Sequence, residues 1–154
     1  MGIKIAFWAI IAVIVGGLAF FLSDELIGKP EPHVHDDTHA HGELRAIAQG
    51  QVAPTVSVQA FADTIDGYNL QISVENFAFS PENTGTETDT VEGHAHLYVN
   101  GVKIGRVYGE WVHLPSKYLR SGVNEIRVTL NDNMHNDWGV DGVAIDAVVE
   151  VSIP

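Results

Sequence analysis

Histidine is the residue in this chain whose number and spacing could do chemistry. The chain holds eight of them. Four fall in His33-Val34-His35-Asp36-Asp37-Thr38-His39-Ala40-His41, interleaved with two carboxylates. Neutral imidazole is the commonest protein ligand for late transition metals, and two His-x-His pairs flanking Asp-Asp let a flexible segment close around Cu(II), Zn(II) or Ni(II). Such a tract points to metal by composition alone, and a solvated spacer with incidental histidines is the bland alternative. The other four are His94, His96, His113 and His135. His94 and His96 are two apart, so on a strand they project from the same side, close enough to share one ion.

The missing residue types restrict the chemistry further. There is no cysteine, so disulfides, thiolate zinc sites, iron–sulfur clusters, cysteine nucleophiles and a blue-copper centre are all excluded. Gly-x-Ser-x-Gly, His-Glu-x-x-His, a P-loop and a dinucleotide fingerprint are also absent, and Ser116 and Ser121 have no neighbouring acid–base pair. No catalytic residue is assigned, and the chain is not expected to be an enzyme. The formal charge of −12 repels nucleic acid and anionic lipid and attracts cations, although solubility alone explains many acidic chains.

The elements that must position these histidines can be read from pattern. Residues 5–22 are all apolar or glycine, long enough to cross roughly 30 Å of hydrocarbon as a helix. No A-x-A-like cleavage site closes the run, because Ala19-Phe20-Phe21-Leu22 passes directly into Ser23-Asp24-Glu25; an uncleaved anchor is expected rather than a signal peptide or a buried helix. With Lys4 before it and acidic residues after it, residues 1–4 are expected in the cytoplasm and the remainder outside. Residues 23–54, punctuated by Pro30, Pro32 and Pro54, read as a tether, with a short helix over 43–49 compatible with the composition and carrying no chemistry.

From residue 55 the period becomes two. Val56, Val58 and Ala60 alternate with polar residues, as do Leu70, Ile72 and Val74 beyond Asp66-Gly67. His94 to Val99 and Val102 to Tyr108 flank Asn100-Gly101, the pair preferred by a two-residue type I′ hairpin. Glu125 to Leu130 and Val143 to Ile153 are further strands. About 100 residues of short strands predict one β-sandwich domain over 55–154. A regular hairpin sets Val99 opposite Val102, Tyr98 opposite Lys103, Leu97 opposite Ile104, His96 opposite Gly105 and His94 opposite Val107; Gly105 would then leave space for an ion beside His96.

Two loops complete the expected site. Ser80 to Gly93 is a long polar entry to His94, and loops of that length are often functional. Asn131 to Trp138 follows a strand and carries His135 with Met134 beside it. Because loops gather at the two ends of a sandwich, His94, His96 and His135 are expected to converge, with His113 as fourth member. Asn131 to Asp141 and Glu82 to Glu92 are also rich in oxygen ligands, so a structural or protein-interaction sandwich, with or without calcium and with incidental histidines, is the competing reading. The order of residues departs from an EF-hand, and calcium leaves His94 and His96 unexplained.

The stretches Glu92-Gly93-His94-Ala95-His96-Leu97-Tyr98-Val99-Asn100-Gly101, Arg106 to Leu114, and Val128 to Asn131 with His135 resemble a family of small, uncharacterised periplasmic proteins of proteobacteria. Those chains pair a His-rich N-terminal segment with this domain. The resemblance covers 53–154, with Gly-His-x-His-Leu-Tyr its most specific part; more distantly it extends to cupredoxin-type copper sandwiches and to a bacterial domain beginning Gly-His-His-His-Leu. It implies an immunoglobulin- or cupredoxin-like sandwich in the periplasm and the positions His94, His96, His113 and His135, but no reaction. Met134 before His135 departs from the pattern, which makes Met134 a doubtful ligand. The expected whole is a single-pass inner-membrane protein with a periplasmic domain handling copper, or alternatively zinc, with no nucleic-acid partner and exchanging metal with a periplasmic or membrane metalloprotein.

Overall fold

The computed structural model describes residues 43–154. The expected anchor at 5–22 and the histidine tract at 33–41 lie outside the described residues. Eleven strands follow in order: β1 (Leu44–Ala46), β2 (Thr55–Ala62), β3 (Tyr68–Glu75), β4 (Ala78–Phe79), β5 (Glu92–Val99), β6 (Val102–Val107), β7 (Trp111–Leu114), β8 (Gly122–Asn131), β9 (Asp137–Val140), β10 (Val143–Ala144) and β11 (Asp146–Ile153). Among the described residues only short 3-10 turns, at Pro81–Asn83 and Ser116–Tyr118, add helical structure.

The strands form an eight-stranded and a three-stranded sheet, the latter in the order β2-β3-β7. Alternation decides which side chains meet. Val58, Leu70, Ile72 and Leu114 from the smaller sheet join Ala95, Leu97, Val99, Ile126, Val128, Leu130 and Val151 from the larger in one buried cluster. Burying such side chains is the main favourable term, roughly 1.5–3 kcal/mol for each large one. The all-β sandwich expected from period-two patterning is therefore present.

In the larger sheet β5 lies between β6 and β8. Ala95, Leu97 and Val99 pair with Leu130, Val128 and Ile126 and face the core. His94, His96 and Tyr98 consequently project from the opposite face, beside Asn131, Thr129 and Arg127.

Asn100 and Gly101 make the expected tight turn, both with positive φ, 50° and 81°, as type I′ geometry requires. The expected register holds only for the two pairs nearest it. A bulge between Leu97 and Tyr98 leaves Ile104 without an opposite residue, so Gly105 pairs with Leu97, Arg106 with His96 and Val107 with Ala95. One extra residue on one strand shifts every pair beyond it. The space expected from Gly105 is therefore not beside His96; Arg106 takes that register position.

A second difference concerns the expected tether. Leu44–Ala46 is a strand rather than part of a helix over 43–49, and pairs in parallel with β9. Arg45 then lies over the Trp138 ring, 4.6 Å from its centroid.

Candidate metal centre

His94 and His96 stand on β5, on the face of the larger sheet turned away from the core, yet are only 0% and 4% exposed. The loop after β8 is what covers them. It places His135 so that its ring centroid is 4.7 Å from that of His94 and 5.7 Å from that of His96. The Tyr108 ring closes another side, 5.4 Å from His94.

His135 is held at φ 72°, a left-handed conformation that costs a non-glycine residue about 1 kcal/mol or more. Asp132 supplies the restraint. Its carboxylate accepts hydrogen bonds from the backbone N–H groups of Met134 and Asn136, from the Asn136 amide, and from Arg45 at 3.1 Å. Burial opposes its charge, but these donors, led by Asn136, hold the carboxyl below its usual range. On the far side of the loop, Asn133 binds Ser80 and Glu92, and its carbonyl accepts from Gly85 N–H. The long segment entering β5 thus braces the loop that carries His135.

The imidazole nitrogens converge. His94 Nε2 is 2.9 Å from His96 Nε2, and His135 Nδ1 is 3.5 Å from the same atom. One ligand nitrogen from each ring can be chosen so that all lie within 4.8 Å of one another. Nitrogens bound about 2.0–2.1 Å from one ion sit about 2.8–4.2 Å apart, so the arrangement is close to a shared coordination sphere. The other nitrogen of that ring, His94 Nδ1, is buried without a hydrogen-bond partner among the described residues.

Electrostatics keep these rings neutral. Burial, followed by the charges of His135, Arg106 and Lys103, lowers the His94 pKa to about 4. Burial and Lys103 lower that of His96 to about 3, and burial with Arg106 and Lys103 lowers that of His135. A neutral ring offers the lone pair that a metal needs. The arrangement can therefore hold a metal ion through three nitrogens, leaving further positions for another ligand.

His113 is not brought to the other three. It stands exposed on β7, with Nδ1 3.2 Å from Asn69 Oδ1 and Nε2 3.9 Å from the Asp66 carboxylate, and it borders a cavity of about 300 Å³ shared with Leu97, Ile104, Gly105 and Val112. Met134 is 49% exposed.

Two residues of the site were not singled out from the sequence. Lys103 Nζ lies 2.9 Å from His96 Nε2, and Arg106 occupies the register position opposite His96. The position of Lys103 opposite Tyr98 was legible from the hairpin, but its reach toward His96 was not. Arg106 reaches this face only through the bulge, for which the sequence carries no plain signal.

Comparisons with protein-family models, with curated proteins and with solved structures returned no match. The functional reading accordingly rests on the site.

Proposed function

We propose that this chain is a membrane-anchored periplasmic metal-binding protein, built on an immunoglobulin- or cupredoxin-like sandwich, that buffers or delivers copper. Zinc is the alternative cargo. The observation that carries the reading is the convergence of His94, His96 and His135 beneath the loop after β8. Three neutral imidazoles suit copper, zinc and nickel, and among divalent ions copper binds such a donor set most strongly. In this reading the tract from His33 to His41 captures metal and the domain holds it in a more ordered site, from which a periplasmic or membrane metalloprotein receives it.

The test is a metal titration of the full chain in which His33, His35, His39 and His41 are replaced by alanine, so that only the domain site remains. One-to-one binding of Cu(II) or Zn(II) by calorimetry is expected, with copper EPR showing nitrogen ligation. Replacing His94 and His96 by alanine should weaken binding at least 100-fold, since each lost ligand removes a metal–nitrogen bond. Unchanged binding in that variant would move the metal away from the domain. A folded parent that binds neither ion would instead favour the protein-interaction reading, in which the histidines form a polar network with Lys103.

A further inference from the structure

We propose that Lys103 is a built-in competitor for the metal, its ammonium occupying the lone pair of His96 that an incoming ion must take. The inference rests on the metal-binding reading above and concerns how that same site is regulated.

Two cations compete for one atom. With its proton on Nδ1, His96 has a single in-plane lone pair on Nε2, and both Lys103 Nζ and His94 Nε2 lie 2.9 Å from that atom. An ammonium group is only a donor, so the contact requires that lone pair as its acceptor. A metal bound about 2.0–2.1 Å from the same nitrogen requires it too. The two cations cannot share it. Like charge adds to the exclusion, because even without direct contact an ammonium a few ångströms from a divalent ion repels it.

The fold makes this competition local and reversible. Lys103 lies on β6 one residue beyond the exposed Val102, near the hairpin tip, and is itself only partly buried. Its four-carbon stem can swing outward without moving the strand. Burial and Arg106 both disfavour the ammonium where it lies, and Asp137 only partly offsets them, so withdrawal toward solvent costs the side chain little. Return of the ammonium then offsets loss of the ion, leaving His96 with a partner in both states. Such a site holds metal less tightly than three imidazoles alone would and gives it up more readily, as delivery requires.

Two measurements on the full chain with the four tract histidines replaced by alanine test the proposal. Calorimetry with Zn(II) compares that parent with Lys103→Met, which keeps much of the stem and removes the charge. The variant is expected to bind at least roughly ten-fold tighter, the scale of a lost charge-assisted competitor. Separately, an amine-acylating ester is applied to the parent with and without Zn(II), and modification of Lys103 is read by peptide mass spectrometry. Zinc should accelerate it several-fold as the ammonium leaves His96. This second measurement decides the question if Lys103→Met fails to fold. Unchanged or weaker zinc binding by a folded variant overturns the proposal, as does acylation indifferent to zinc, while one-to-one binding by the parent leaves the metal site standing. Absence of zinc binding in both folded proteins overturns the competition, and only if Cu(II) also fails to bind does the metal reading fall with it.

Discussion

His94 and His96 do more than offer lone pairs; their depressed proton affinity couples folding to pH. In the unfolded chain each titrates near 6.5, whereas burial and the neighbouring cations lower the folded values to about 4 and about 3. Between those limits the unfolded state binds protons that the folded state refuses, so stability must fall as pH drops below about 6.5 and must continue falling toward the folded values. From pH 7 to pH 5 the loss is expected to be on the order of 2–4 kcal/mol for the metal-free domain. Urea denaturation at several pH values measures it, and an H94L/H96L double variant should lose most of the slope. A flat profile over that range would mean that the imidazoles are solvated rather than buried.

At the scale of the element, the close approach of β5 to the end of β8 sets the site. Gly93, the second residue of β5, has φ 145°, and a Cβ there would fall against the Asn131 carbonyl and the Asp132 backbone. Only glycine fits, because both the conformation and the space exclude a side chain. Gly93→Ala should therefore destabilise the domain by about 3 kcal/mol and weaken metal binding, since Gly93 adjoins His94 and a side chain there displaces the segment leading to His135. Thermal unfolding and metal titration of the same variant check both parts. Full stability in the alanine variant would show that the strands can separate at little cost. The bulge in the hairpin works at this scale as well: by shifting one residue it brings Arg106, in place of Gly105, to the histidine face.

Across the whole molecule, β1 connects the start of the domain to its site. Arg45 bridges 87 positions to reach Asp132, at 3.1 Å, and also donates to the Thr88 carbonyl. The Asp132 side chain is only 2% exposed, so removing its cation leaves a buried carboxylate less well compensated. Arg45→Met is expected to cost about 2–3 kcal/mol, to loosen the His135 loop and to lower zinc affinity, all measurable by urea denaturation and calorimetry. Retained stability and affinity would assign β1 no part in the site. A domain fragment beginning at residue 55 should show the same defects, because it discards β1 altogether.

The sequence by itself determined the all-β class, the apolar faces and the turn at Asn100-Gly101, because period-two alternation and positive-φ preferences are local properties. It also put His94 and His96 on one side of a strand and nominated His135, since loops gather at the ends of a sandwich; the pairing that brings the start of β5 beside the end of β8 was decided by tertiary structure. His113 was a natural candidate by residue type, yet its place on β7 is a matter of which sheet that strand joins. The parallel pairing of β1, the bulge at Ile104 and the contacts of Lys103 and Arg106 were decided by tertiary structure. Each depends on partners distant in the chain or on a one-residue slip, and side-chain spacing along a single strand carries information about neither.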